Sequence, residues 1–237
     1  MRNPLRDYDT RRKYWHLKNK RLTQHEKMIE RVLVKYFQEQ KERILNRMPI
    51  IRSKIAIGEI FNKEEEVRIL RSVAFPALAE VMKSEAGEVG GRFGVEVGFS
   101  SQMDSWLNER TNFFTERINE TTYKQLSKEL SEGVAQGEDF NKIADRIDGK
   151  VDEISKGRAR TIARTETHSA QQKAGFEAYR DVGVPEKTWI ATFMNTRDWH
   201  IELDGETVPI DKPFSNGLMA PGLDGPAEEV INCQCQI

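Results

Sequence analysis

Apolar residues recur at helical intervals through roughly the first three-quarters of the chain, and then the interval breaks. Between residues 10 and 48, Leu22, Ile29, Val32, Leu33, Tyr36, Phe37, Ile44, Leu45 and Met48 fall three, four and seven apart. That is the stripe of one long amphipathic helix, which Pro49 should end. A second helix is predicted over 62–86. Asn62 stands as its N-cap, Glu64–Glu66 fill its first turn, and Val67, Leu70, Val73, Ala74, Ala77, Leu78, Val81 and Met82 form its apolar face. Pro76 should kink it. A third helix spans 100–132, capped at Ser100 or Ser101 and carrying Trp106, Leu107, Phe113, Phe114, Ile118, Tyr123, Leu126 and Leu130. A short helix at 140–147 and a longer one at 153–182 complete the helical part, stopped by Gly183 and Pro185.

Beyond Pro185, Gly, Pro, Asp and Asn punctuate short apolar runs. Residues 187–193 alternate as a strand does; 206–210 and 230–235 are further strand candidates. The expected fold class is α+β, with long helices in the N-terminal two-thirds followed by a small mixed α/β C-terminal domain of short strands. The expected division is a helical region at 1–98 and a second domain at 99–237, with helices over 100–182 and strands over 187–237. The glycines at 87, 90, 91, 94 and 98 fit neither a dinucleotide fingerprint nor a Walker loop, so they read as a hinge or packing seam.

Composition adds an asymmetry. The net charge is -1 and 32% of residues are charged, with a mean hydropathy of -0.66, which fits much exposed helix without reaching the composition of a disordered chain. From Arg11 to Arg47 twelve Lys/Arg face four Glu; from Asn195 onward two basic residues face eight acidic ones. The basic helix, with Arg11, Arg12, Lys13, Lys18, Lys20, Arg21, Lys27 and Arg31, is therefore a candidate surface for DNA or an acidic partner, against the plainer reading of a solvated face. Met1–Arg21 lacks the apolar core of a signal peptide, and no apolar run approaches membrane-spanning length. The expectation is a chain made and used in a cytoplasm, with no membrane partner.

Both cysteines of the chain, Cys233 and Cys235, lie close behind His200 in sequence. Two thiolates and an imidazole are a ligand set for zinc, with Asp198, Asp204 or His168 as a fourth partner. The alternative is that the cysteines are small core residues and His200 bonds a carbonyl. Arg160 and Arg164 stand one helical turn apart. They are either an anion-binding pair or the partners of the acidic tail at Asp204, Glu228 and Glu229. Glu166 with His200 is a conceivable acid–base pair, but no nucleophile or phosphate-cradling loop accompanies it, so catalytic residues are not assigned.

The order of these signals carries a further meaning. Arg160, Arg164, Thr165, Glu166, Trp189, His200, Asp204, Gly205, Phe214, Asn232, Cys233 and Cys235 follow one another as an "ARTE" helix, a Trp, an R-x-x-H…LDG segment, a P-F pair and a terminal NC-x-C. This pattern resembles the C-terminal domain of the phage Mu F-like head-morphogenesis, or minor head, proteins, over roughly residues 110–237. It departs at Gln234, where the family usually has Arg. The resemblance implies a minor head protein of a tailed phage, acting at the portal and inner capsid and contacting packaged DNA. It implies a virion location, with host cytoplasm during assembly. The competing expectation is a metal- or His/Glu-dependent enzyme acting on nucleic acid or nucleotide.

Overall fold

A computed structural model describes residues 4–48, 56–192 and 196–237. Pro49, expected to end the first helix, and Phe193, the end of the expected first strand, lie outside these residues. Four long helices dominate: α1 (Tyr8–Arg47), α3 (Lys63–Phe93), α4 (Ser101–Ala135) and α5 (Phe140–Asp181), with a single turn, α2, at Ile57–Ile60. The remainder holds strand β1 (Glu186–Thr188), helix α6 (Asp198–Glu202), strand β2 (Thr207–Pro209) and helix α7 (Ala227–Val230). None of the described helices is long and apolar enough to cross a membrane. The architecture is α+β and mainly helical, as the pattern predicted.

The helix ends follow the expected chemistry. The Glu65 amide donates to Asn62 Oδ1 at 3.0 Å, and the Met103 amide to Ser100 Oγ at 3.2 Å. These caps satisfy donors that the first turn leaves without intrahelical partners. Helix α3 runs seven residues past its expected end, through Gly87, Gly90 and Gly91, and stops where Gly94 turns to φ 68°. The returning chain then lies against the helix, so close that a Cβ on Gly90 would sit 2.5 Å from the Val95 carbonyl oxygen. Of the cluster, Gly90 alone is a packing contact; a Cβ at Gly87, Gly91, Gly94 or Gly98 would meet nothing within 4 Å.

The two helices expected at 140–147 and 153–182 are one. Gly149 and Gly157 interrupt the apolar stripe but not the backbone, because a Cβ at either would meet nothing within 4 Å. An isolated glycine weakens a helix by about 1 kcal/mol, too little to break one whose flanks are packed. The first two strands are shorter than expected, and the third, 230–235, does not form: Val230 ends a short helix and a turn at Ile231–Asn232 leads into loop. Three residues of β1 pair antiparallel with β2, Lys187 opposite Val208, and Ile190 forms a lone bridge to Gln236.

The contacts divide the chain into two compact units, and they do not divide it at 98/99. One takes in the chain up to Ile29, Ala77–Leu107 and Thr161–Ile237; the other comprises Glu30–Pro76 and Asn108–Arg160. We call them the tail unit and the bundle unit. The bundle core gathers Ile44, Met48, Phe61, Leu126, Ile143 and Ile147. The tail-unit core gathers Phe176, Trp189, Leu203, Phe214, Leu218, Leu223 and both cysteines.

Candidate functional site

From Thr165 to Gln172 every residue of α5 is buried, and much of what this stretch buries is polar. Thr165, His168, Ser169 and Gln172 are each at most 5% exposed. Their spacing of three, one and three places them on one helix face. That face bonds the loops of the last sixteen residues. Thr165 Oγ1 accepts from the Asn232 amide at 3.2 Å, and His168 Nε2 meets the Cys235 carbonyl at 2.6 Å. Ser169 Oγ donates to the Gly222 carbonyl at 2.8 Å, and Gln172 Nε2 to Gln236 Oε1 at 2.6 Å. Buried loop backbone has no ladder to satisfy it, so side chains from a rigid helix do so instead.

Gly222 is part of the same fit. Its φ is 73°, and a Cβ there would fall 2.5 Å from His168 Nδ1. Asn232, at φ 58°, is one of two described non-glycine residues in the left-handed region, where a short amide side chain is tolerated. From that turn the chain extends, and the two-residue alternation sends Cys233 and Cys235 to one side. Gln234 faces the other, its carbonyl accepting the Trp15 indole N–H at 3.0 Å.

On the side that the cysteines face stands His200, from α6. Its Nδ1 lies 3.7 Å from Cys233 Sγ and 3.6 Å from Cys235 Sγ. Its Nε2 lies 2.8 Å from Glu229 Oε2. Glu229 Oε2 also accepts from Asn216 Nδ2 at 3.3 Å; a neutral ring that donates Nε2–H to this carboxylate turns its Nδ1 lone pair to the sulfurs. All three residues are buried, and their ligand atoms lie within 4.8 Å of one another. Trp189 packs edge-on against the imidazole and against Phe214. Burial opposes a charge on His200, but hydrogen bonds to Cys233 and Glu229 outweigh it and raise its pKa. The hydrogen bond from Cys235, with help from His200, pulls Cys233 well down, and the same pairing pushes Cys235 well up.

The other expected site residues are placed differently. Asp204 does not pair with Arg160 or Arg164. It accepts Arg11 through Nε at 3.1 Å and Nη2 at 2.8 Å, and the Ala191 amide at 3.0 Å. Gly205, at φ 86°, leaves room for that guanidinium, whose carbon lies 3.1 Å from where its Cβ would be. Arg164 reaches Glu26 at 3.9 Å, and Arg160 is exposed. Glu166 is buried, and the carboxylate on His200 is Glu229. His168, Asp198 and Asp204 do not join the cysteine–histidine cluster.

Nor is the basic helix one continuous cationic face. Lys18 is 1% exposed and bonds Glu85 Oε1 at 2.6 Å; burial alone would lower its pKa, but Glu85 reverses the shift and raises it. Arg11 is committed to Asp204, Arg12 reaches the Thr192 carbonyl, and Arg21 pairs with Glu88. What stays exposed is Lys13, Lys20, Lys27 and Arg31.

Comparison with known proteins fits this geometry. The family model described as Phage Mu protein F like protein matches residues 124–237. The NAD(+)--arginine ADP-ribosyltransferase EFV of Enterococcus faecalis (strain ATCC 700802 / V583) is 32% identical over 120 residues, covering 47% of this chain and 24% of that protein. The chain thus spans about a quarter of the length of this curated relative. No solved structure matches it.

Proposed function

From the premise that residues 124–237 belong to the phage Mu protein F-like family, we propose that the chain is a minor head protein of a tailed phage, acting in head assembly at the portal and inner capsid and residing in the virion. One observation carries the reading. The motif residues Thr165, Asp204, Asn232 and Cys235 fasten the C-terminal loops to helices α1 and α5, while His200 and Cys233 face each other within those loops. An enzyme of the Glu166/His200 kind would need these groups to converge on an open pocket; here His200 is 1% exposed and Glu166 6%. A rigid, internally bonded module suits a protein whose work is to hold others.

The test is co-expression with the portal and major capsid proteins of the same phage, followed by sedimentation. The chain should co-sediment with heads and co-purify with portal rings. A chain that stays at the top of the gradient, with normal heads forming without it, would end the proposal.

A DNA contact is supported by a separate observation. Lys13, Lys20 and Lys27 are exposed at intervals of seven residues along α1, so they share a face, and no ion pair is found for them among the described residues. On this reading they meet phosphates, and replacing all three by Ala lowers the log–log salt slope of double-stranded DNA binding by about 3. An unchanged slope would remove DNA from the partners.

The name of the enterococcal relative raises an enzymatic reading. We infer that this chain does not transfer ADP-ribose, since its candidate acid–base residues Glu166 and His200 are 6% and 1% exposed. Incubation with labelled NAD+ and an arginine acceptor should leave the acceptor unlabelled. Transfer that persists in a highly purified chain would replace the assembly reading with an enzymatic one.

A further inference from the structure

We propose that His200, Cys233 and Cys235 hold a zinc ion, which ties the C-terminal loops of the tail unit together. The distances favour it. A tetrahedral zinc with Zn–S near ~2.3 Å and Zn–N near ~2.0 Å sets its sulfur and nitrogen ligands about 3.6 Å apart. Nδ1 of His200 already stands 3.7 Å and 3.6 Å from the two sulfurs. The two nitrogen–sulfur edges thus have the length that one coordination polyhedron requires, and all three ligand atoms lie within 4.8 Å of one another.

The surroundings are those of a metal-bound imidazole. Such a ring commonly gives its second N–H to a carboxylate, which fixes the tautomer and makes the ligating nitrogen more basic. Glu229 stands 2.8 Å from Nε2 in that role. Both cysteines are free thiols, and their i, i+2 spacing on an extended chain points both at the ring. Three protein ligands are the number found in zinc sites whose tetrahedron a water completes.

The local fold gives such a tie something to do. Among the described residues between Trp189 and Ile237 the regular structure is one three-residue strand, a five-residue helix and a four-residue helix. Few backbone ladder bonds join these pieces, so a metal bond linking α6 to the terminal segment contributes folding free energy directly. The proposal does not depend on the head-assembly reading and stands or falls apart from it.

The decisive experiment uses the full chain purified without a metal-affinity column. Elemental analysis should find about one zinc per chain. Exchange for cobalt(II) should give a thiolate-to-cobalt absorption in the near ultraviolet and the visible bands of a tetrahedral ion. Both should be lost in the Cys233→Ser/Cys235→Ser double variant. A folded wild-type chain that contains no zinc and takes up no cobalt would overturn the site and leave the cysteines as core residues. Should the double variant fail to fold, the wild-type cobalt spectrum decides alone. Glu229→Gln then tests the arrangement with all ligands in place: zinc affinity should fall about 10-fold or more while the cobalt bands persist. Unchanged affinity would overturn the placement of the imidazole.

Discussion

The bundle unit and the tail unit both bury polar groups, but they satisfy them by different means. In the bundle, polar side chains satisfy one another. Glu66, 1% exposed, takes both arms of the Arg43 guanidinium at 2.7 Å and lies 3.1 Å from Tyr36 Oη and from Gln40 Nε2. Asn119 joins through Oδ1 and passes a bond on to the Thr115 carbonyl. The helical backbone needs no help, because its own ladder is complete. In the tail unit the direction reverses: side chains on helices serve the backbone of loops. His168, Ser169, Trp15 and Arg197 all bond loop carbonyls, at Cys235, Gly222, Gln234 and Ile231. A buried network among helices secures a unique packing; buried side chains beneath loops supply the hydrogen bonds that strands would otherwise provide.

The difference should be largest where one residue is the hub. Glu66→Ala takes the carboxylate from Arg43 and leaves Tyr36 and Gln40 with Asn119 and each other, at a cost of roughly 4 kcal/mol. Thermal melts would measure it, and hydrogen exchange should show protection lost first in 30–48 and 108–130. Loss confined to the tail unit would mean that the network is not what holds the bundle.

Asp204→Ala is the matching cut in the tail unit. It removes the partner of Arg11, whose side chain is only 10% exposed, and the acceptor for the Ala191 amide. The expected loss is about 3 kcal/mol, with exchange accelerated around Ala191 and at the start of α1. Arg11→Ala/Asp204→Ala should cost less than the sum of the single changes, since the second removes a charge the first left unpaired. Strict additivity would mean that the two side chains do not act as a pair.

The bundle was more legible in the sequence than the tail unit, for a physical reason. Amphipathic spacing records which face of a helix is apolar, and α1, α3 and α4 were readable from Leu22–Met48, Val67–Met82 and Trp106–Leu130. Helix α5 was read as two pieces because Gly149 and Gly157 interrupt the stripe while lying in open space. The cysteines and His200 were legible as a candidate cluster because few residue types do that chemistry and they lie in one stretch of sequence, and the fold brings them together. Their carboxylate, Glu229, was not: one acid in an acidic tail carries no mark of its partner. Ser169 and Gln172 also escaped, and Thr165 was legible only as part of the ARTE pattern, because a buried polar stripe looks like an exposed one when only hydropathy is read. The one available signal was that the stripe sits amid Ala163, Ala170 and Ala174, which suits close packing. Arg11 and Asp204 are separated by 193 positions, and no local pattern could join them.

A smaller effect tests the helix-under-loop fit by shape. Gly222→Ala imposes a strained φ and a clash with the His168 ring, at a cost of about 2 kcal/mol. Gly222→Ala/His168→Ala should recover part of that loss by emptying the space, although the Cys235 carbonyl then goes without its partner. A double variant as unstable as the two losses combined would place the strain in the backbone alone.

The last effect is read as a slope against pH. Lys187 of β1 is 4% exposed, its ammonium 4.7 Å from the centre of the Phe176 ring and 5.3 Å from that of Phe214, and it donates to the Ile210 carbonyl at 3.0 Å. Burial pushes its pKa down to about 8 from the ordinary 10.5. Between those values the unfolded chain binds the proton more readily than the folded one, so stability rises with pH through the window. Below about 8 both states are protonated and the full burial penalty applies; above 10.5 neither is, and it vanishes. Relative to Lys187→Met, the wild-type chain should therefore gain at most about 1.4 kcal/mol per pH unit from pH 8 to 10.5. The lost bond to Ile210 offsets the two proteins by a constant, which pH leaves alone. Urea melts at pH 7, 8, 9 and 10 would separate slope from offset. A pH-independent difference would mean that the two rings and the carbonyl fully replace water around the ammonium, and that even in the tail unit a single buried charge can be satisfied as completely as Glu66 is in the bundle.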